Sequence, residues 1–301
     1  MSCVTYTFII PHNNSKKLLS RCLASIPHRK DIEIIVVDDN SREEERPQQE
    51  REDEQILYID AANSKGAGRA RNEGMKIAKG RWLVFADCDD FFNKGFMNVL
   101  DQYKDSNKDV VYYNADYVDS KTLMPIIKHP IPALNYFERY NGSKYSEDCV
   151  KYKIHAPWAK MVRRQFICEY HISFEEIPKG NDVFFTFQIG YFSKKIAIEK
   201  KKLYVYTYNS NSLSNKKKDY ITYIGVLKRI FKRNEFYYYI GYKKWKDSIV
   251  KFWLKILKKD GVIVFFQTLL YYFKNHSAIS NQKYYYVNTI NSIKNLSNEK
   301  N

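Results

Sequence analysis

Arg81-Trp82-Leu83-Val84-Phe85-Ala86-Asp87-Cys88-Asp89-Asp90 is an apolar run that follows the Lys79-Gly80 break and stops at three carboxylates in four residues. That pattern predicts a buried strand with acidic side chains at its carboxyl end. In an open parallel sheet, ligands bind at that end. Carboxylates so close together repel one another unless a cation sits among them, and hard oxygen ligands suit Mg²⁺ or Mn²⁺. Asp87 and Asp89 are therefore the candidate metal site. The plainer alternative is an acidic turn in which Asp90 caps a helix beginning at Phe91.

Upstream, the chain alternates strand and helix. Val4 to Ile10 predicts a strand ending at Pro11-His12-Asn13-Asn14, and Ser15 opens a helix with the inward stripe Leu18, Leu19, Cys22 and Leu23, halted at Pro27. Ile32 to Val37 is β-branched enough for a central strand, and it too ends in acids, Asp38 and Asp39. Two strands thus deliver carboxylates to one edge. Ser41 to Glu54 reads as a solvated helix or loop, and Ile56 to Ile59 as a short third strand. Gly66-Ala67-Gly68-Arg69-Ala70-Arg71-Asn72-Glu73-Gly74 has neither dinucleotide-loop nor P-loop spacing. It starts a helix whose amides and Arg69 and Arg71 suit a diphosphate, or else a surface helix with two solvated arginines.

The 301 residues suffice for one main domain plus an appendage. Five cysteines, odd in number and without a C-x-x-C pair, exclude a zinc ribbon and a disulfide framework and suit a reducing cytosol. No run of about 18 apolar residues is present to span a membrane, and the first residues lack the pattern of a secretory signal. A net charge of +16 implies an anionic partner. Fourteen Lys and Arg against three Asp and Glu fall between Lys216 and Lys259, where Trp245, Ile249, Phe252, Trp253, Ile256 and Leu257 recur at helical spacing. This predicts a basic amphipathic helix for an anionic membrane surface, or an ordinary packed helix with snorkelling lysines. Val262 to Phe273 is more apolar but too short to span, and Ser277 to Asn301 is expected to fray.

The ordered series Ile9-Ile10-Pro11-His12-Asn13-Asn14, Val36-Val37-Asp38-Asp39-Asn40-Ser41, Gly66 to Gly74, Ala78-Lys79-Gly80 and Phe85 to Asp90 resembles the family 2 glycosyltransferases of the GT-A fold. The likeness is firm from Val4 to Phe92 and continues to Ser214. It implies an α/β domain with a central, mostly parallel sheet over residues 1–215. Residues 1–105 would be the nucleotide-sugar half and residues 106–215 the acceptor half, with a basic helical region at 216–301. It also implies that Pro11, Asn13, Asp38, Asp39, Arg71, Asp87 and Cys88 lie at the nucleotide, with Asp39 facing the base, usually uracil. Asn13 stands where the family often has an aromatic residue. Asp87 and Asp89 would serve the ribose and a diphosphate-bound Mn²⁺ or Mg²⁺.

A departing diphosphate needs charge neutralisation, and an acceptor hydroxyl needs a base on the opposite face. Beyond the strand-like Val110 to Tyr113, the segment Ala156-Pro157-Trp158-Ala159-Lys160 resembles a Trp-x-Lys element that shapes the sugar and acceptor pocket; the alternative is a core tryptophan beside a solvated lysine. Asn181-Asp182 resembles the family's Glu-Asp motif with asparagine in place of glutamate. Asp182 is then the expected base, against a plain N-cap, with Glu175 and Glu176 as fallbacks. Leu203 to Tyr208 and Asn209 to Ser214 resemble a closing strand and a serine-rich loop. Of the histidines only His155 merits testing.

The expected activity is inverting, metal-dependent transfer from a UDP-sugar to a hydroxyl of a growing, lipid-linked bacterial surface glycan on the cytoplasmic face of the inner membrane. Two other classes compete. A nucleic-acid-binding protein would explain the charge, but RNA-binding and helix-turn-helix signatures are lacking, so no nucleic-acid partner is expected. A sugar-nucleotide nucleotidyltransferase would carry a glycine-rich loop after the first strand, where this chain has Pro11-His12-Asn13-Asn14.

Overall fold

Residues 4–126, 132–208 and 219–298 are described in a computed structural model. They divide into two units, Met1–Asn209 and Ser210–Asn301. The boundary expected after residue 215 and the serine-rich loop lie outside the described residues.

The first unit is built on one sheet of β1 (Tyr6–His12), β2 (Ile32–Asp39), β3 (Glu54–Ile59), β4 (Trp82–Phe85), β5 (Phe91–Phe92), β6 (Val110–Asp119), β7 (Lys160–Arg163) and β8 (Ile196–Tyr208). Their order is β3-β2-β1-β4-β7-β6-β8-β5. β3, β2, β1 and β4 run parallel; β7 is antiparallel to β4 and β6, and β8 returns parallel to β6. Every residue of β1 and β2 is buried, as expected of central strands covered on both faces. This is the mixed, mostly parallel α/β sheet that the sequence pattern predicts.

Helices α1 (Lys16–Ser25), α2 (Ala67–Ile77), α3 (Phe96–Leu100), α4 (Asn135–Glu138), α5 (Lys144–Lys153), α6 (Arg164–Glu169) and α7 (Asp182–Phe192) accompany the sheet. On α1, Leu19, Cys22 and Leu23 are buried and Leu18 is half-buried. The Ser41–Glu54 stretch is loop apart from a short 3₁₀ turn at Glu43–Glu45. It is not wholly solvated: Arg51 is buried, donating to the carbonyls of Leu23 and Ile26 near the end of α1 and pairing with Asp53 at 2.6 Å. α2 lies close to the sheet because Gly74 has no side chain, since a Cβ there would come within 2.6 Å of Ile9.

The register brings the functional edge together. Ile9 pairs with Phe85, His12 with Asp38, and Asp39 with Ile59, so β1, β2 and β4 end side by side. Phe91 and Phe92 extend as β5 against β8, so Asp90 does not cap a helix. Its carboxylate instead accepts from the Thr207 amide at 2.7 Å and the Tyr204 hydroxyl at 3.0 Å.

The second unit is helical: α8 (Tyr220–Tyr239), α9 (Ile249–Lys274), α10 (His276–Asn281) and α11 (Tyr285–Asn298). Asp219 caps α8 by accepting from Thr222, and Ser248 caps α9 by accepting from Lys251. α9 breaks at Gly261, whose φ of +89° suits glycine. Two expectations fail here. The stripe from Trp245 to Leu257 is not one exposed helix face. Trp245 stands in a 3₁₀ turn stacked on Tyr242, while Phe252 and Ile256 join Tyr223, Leu227 and Ile230 in a buried core. Nor does the stretch after Ser277 fray as far as it is described, because Ile279, Tyr286, Ile290 and Ile293 are buried. Tyr286, Ile290 and Ile293, spaced by four and three residues, define a stripe on α11 that the intervening Asn, Thr and Ser dilute.

Candidate active site

The acidic loop after β4 is held from behind by β8. The Asp87 amide donates to the Tyr204 hydroxyl at 2.9 Å, and the Thr207 hydroxyl donates to the Asp89 carbonyl at 2.6 Å. Arg21 of α1 also donates to the Asp89 carbonyl. These bonds fix the backbone and leave the Asp89 carboxylate open to solvent on one side. Protein crowds its other side, and that lost hydration, followed by the charge of Asp87, pushes the Asp89 carboxyl up to about 6. A carboxylate crowded by a second one is a site that a cation relieves, so the chemistry of Asp89 beside Asp87 fits Mg²⁺ or Mn²⁺. Among the described residues no group of three or more His, Cys, Asp and Glu side chains could hold a metal ion. Mg²⁺ is usually held by one or two carboxylates together with phosphate oxygens and water.

Asp87 also meets Arg71 at 2.5 Å. Arg71 is not solvated: it is 5 % exposed, stacks over the Phe174 ring at 5.3 Å and donates to Asn181 Oδ1 at 3.2 Å. Arg69 is half-buried, pairing with Glu73 at 2.7 Å and with Glu176 at 3.3 Å. The second arginine of α2 thus reaches the site while the first braces the helix. The close approach depends on Gly68, where a Cβ would lie 2.2 Å from the Glu175 carbonyl.

At the end of β2 the two aspartates differ. Asp38 is buried and its carboxylate is occupied by His12 Nδ1 at 2.7 Å and by the amide and hydroxyl of Ser41. Ser15 N–H donates to His12 Nε2, which assigns the ring proton to Nδ1 and makes the histidine the donor to Asp38. Asp39 accepts from the Gly66 amide through Oδ2 at 2.8 Å, at the start of α2. Its Oδ1 is buried without a partner among the described residues. A buried acceptor left open in this way is costly unless something else donates to it. Asn13 donates to the Asp39 carbonyl at 2.7 Å, and Pro11 is buried in β1 opposite Val37. Cys88 is half-buried, and burial, then Asp89 and Asp87, hold its thiol protonated.

Asp182 is the first residue of α7, and Asn181 occupies the cap position without a side-chain capping bond. Asp182 is half-buried. Burial raises its pKa, Arg71, its own amide and Lys160 oppose that rise, and Asp87 adds to it. Asp182 therefore shares one electrostatic neighbourhood with Arg71, Asp87 and Lys160. Lys160 is not the solvated lysine of the plainer reading. It is 0 % exposed, and its ammonium donates to the carbonyls of Ala156 at 2.9 Å and Ile154 at 3.2 Å and to the Thr186 hydroxyl at 3.3 Å. Burial lowers its pKa to about 7, with Asp182 acting the other way. Trp158 is a core residue, 2 % exposed, stacked on Tyr204 at 4.7 Å and Tyr206 at 5.7 Å.

Glu176 is engaged by Lys65, Asn72 and Arg69, which together outweigh burial and hold its carboxyl low. That makes it a poor base. His155 has its Nε2 on the Tyr152 carbonyl and its ring on Phe187. Sequence reasoning did not single out Arg21, Tyr204 or Thr207. The period-two alternation of Tyr204 and Tyr206 signals one aromatic face of β8, from which Tyr204 reaches the acidic loop; Thr207, of the opposite parity, has no such signal.

A family model described as "Glycosyl transferase family 2" matches residues 7–168, more than half of the chain. The chain is similar to the glycosyltransferase GlyA of Streptococcus pneumoniae serotype 4, with 25% identity over 225 residues covering 69% of this chain and 31% of GlyA. It is also similar to the Escherichia coli UDP-Glc:alpha-D-GlcNAc-diphosphoundecaprenol beta-1,3-glucosyltransferase WfaP, with 31% identity over 108 residues covering 36% of this chain and 43% of WfaP. The chain thus spans less than half the length of these two relatives. Among solved structures, Staphylococcus aureus TarS 1-349 in complex with UDP-GlcNAc superposes with a TM-score of 0.57 at 19% identity, covering 76% of this chain and 66% of that one. At that identity the likeness is one of fold.

Proposed function

The chain belongs to glycosyl transferase family 2, and from that premise we propose that it is an inverting transferase. It takes a sugar from a nucleotide-diphosphate donor, most simply a UDP-sugar, and joins it to a hydroxyl of a bacterial surface glycan. The observation that carries this reading is Arg71, which ties Asp87 of the donor half to Asn181 at the head of α7, next to Asp182. The donor carboxylate and the candidate base thereby both lie in the field of this one arginine.

The residues divide the work. Asp39 Oδ1, buried and open, suits the ring N–H of uracil. Arg71 and the start of α2 lie where the diphosphate would be. Asp89 with Asp87 would hold Mn²⁺ or Mg²⁺, which supplies charge neutralisation at the leaving diphosphate. Asp182 takes the proton of the acceptor hydroxyl as that oxygen bonds to the anomeric carbon from the face opposite the diphosphate. The bond between the anomeric carbon and the diphosphate oxygen breaks, and the configuration inverts. The raised pKa of Asp182 suits a base better than that of a solvated carboxylate.

The acceptor is proposed to be a growing capsule, lipopolysaccharide or exopolysaccharide chain on a lipid carrier; the name of WfaP gives that enzyme a diphosphoundecaprenol-linked sugar as its acceptor. We place the protein on the cytoplasmic face of the inner membrane, with the basic region 216–301 as an appendage facing anionic lipid. Among the described residues no helix is long and apolar enough to cross a membrane.

Calorimetric titration of UDP, with Mn²⁺ and with chelator, tests the donor site. Metal-dependent binding that Asp89→Ala abolishes is the expected result. Absence of UDP binding under every condition would sink the UDP assignment.

A further inference from the structure

On α9 the two sides of the helix have opposite environments. Phe252, Ile256 and Thr268 are buried. After the break at Gly261, however, Val262, Ile263, Phe266, Leu270 and Phe273 are exposed by 56%, 75%, 53%, 69% and 67%. At the helical angle per residue these five fall within an arc of about 100° that holds no other side chain, charged or polar. Before the break, the exposed Val250, Leu254 and Leu257 lie alongside an arc of Lys251, Lys255, Lys258 and Lys259, all exposed. The one acid of α9, Asp260, accepts from the Tyr223 hydroxyl. This apolar arc is not the stripe the sequence pattern suggested, because Phe252 and Ile256 of that stripe are already covered.

We infer that the exposed arc Val262–Phe273 of α9 inserts into the interface of an anionic bilayer, with the preceding lysine arc at the phosphate headgroups. A contiguous apolar face in water is a docking surface. Charge identifies the occupant. Two copies of this chain meeting through the arc would leave the lysine arcs of both without anionic partners, whereas anionic headgroups neutralise them. Length sets the depth. Twelve helical residues extend about 18 Å, short of the roughly 30 Å hydrocarbon core, so the segment lies in the interface and does not cross. Gly261 separates the lysine half from the apolar half and allows each its own orientation. The inference rests on the membrane-side placement proposed above and names the surface that achieves it.

The test is flotation of the full chain with phosphatidylcholine vesicles, with and without phosphatidylglycerol, at low and raised salt. The unaltered chain is expected to float with the anionic vesicles. Phe266→Ser/Leu270→Ser should lose about tenfold or more in partitioning, since two large apolar side chains leave the lipid. Because both positions are exposed, its melting curve should match that of the unaltered chain. Lys255→Glu/Lys258→Glu should weaken binding to anionic vesicles only. The inference is overturned if the unaltered chain stays in solution. It is overturned equally if salt alone strips it and the serine pair changes nothing, or if the serine pair instead converts a dimer to a monomer in light scattering. UDP titration on the same samples separates the two readings, since vesicle binding without UDP binding keeps this inference and removes the UDP donor site.

Discussion

Lys160 and Lys258 are the same side chain in opposite circumstances. Lys160 is fully buried, with an oxygen acceptor for each ammonium hydrogen, in a unit where Asp90 and Asp38 are likewise buried and matched. Lys258 stands in solvent on a helix that also exposes Phe266 and Leu270. In the α/β unit, charge is taken out of water, where each interaction is strong and each misplaced atom is expensive. In the helical unit, charge stays in water and apolar surface stays with it, an arrangement that works by area and tolerates single changes. The α/β unit should therefore respond sharply to single substitutions and the exposed face of α9 weakly.

The largest expected effect is Asp182→Asn. If the half-buried carboxyl is the base, kcat falls by about 10²–10⁴-fold while UDP affinity is unchanged. Single-turnover kinetics beside UDP titration measure both. A loss confined to UDP affinity would move Asp182 from base to donor binding and blur the division of labour.

How far this contrast could be read in the sequence differs between its sides. Strand β4 and the acids behind it were legible, because a four-residue apolar run ending in Asp87, Asp89 and Asp90 has few other meanings. Arg71 was placed near the nucleotide only by resemblance. Its burial depends on contacts with Asp87, 16 positions away, and Asn181, 110 positions away, which no local pattern encodes. The burial of Lys160 is illegible for the same reason: two of its acceptors are backbone carbonyls, which carry no residue signature. In the helical unit the period of α9 was visible, but its phase against α8 was not. A helix that is apolar on two sides does not say which side is inward.

Arg71→Met is next in size. It leaves Asp87 without its ion partner at 2.5 Å and Asn181 without a donor. Breaking a fully buried pair costs about 3–5 kcal/mol. The Asp87 side chain keeps 31% of its surface in water, so about 1–3 kcal/mol is expected here, read from the denaturation midpoint. A cost near zero would mean that the pair is as loose as a surface bridge.

Lys160→Met sharpens the comparison through pH. It strands the carbonyls of Ile154 and Ala156 at a cost of about 1–2 kcal/mol. It also removes a positive charge that opposes the rise in the Asp182 pKa, leaving Arg71 to oppose it and Asp87 to promote it. The sign follows from burial. With a raised pKa, the base form is lost as pH falls through a value above the ordinary carboxylate range. Without Lys160 that acidic limb of kcat/KM moves to still higher pH. A limb that stays in place while stability falls would make Lys160 a pillar of the fold with no bearing on the base.

The smallest effect is the most exacting test of the other side. Phe266 and Phe252 lie on one helix, 14 residues apart, the first 53% exposed and the second 6% exposed against Tyr223 and Trp253. Truncating a buried phenylalanine costs about 3–5 kcal/mol through lost transfer energy and the cavity left behind. Phe266→Ser removes a ring already in water, so its effect on the unfolding free energy should stay within about 0.5 kcal/mol. Urea midpoints of the two variants, Phe252→Ala and Phe266→Ser, compare the faces directly. A Phe266→Ser variant destabilised as much as Phe252→Ala would mean that the outer face of α9 is covered in solution. The contrast between buried charge in one unit and exposed apolar surface in the other would then fail at the helix on which it rests.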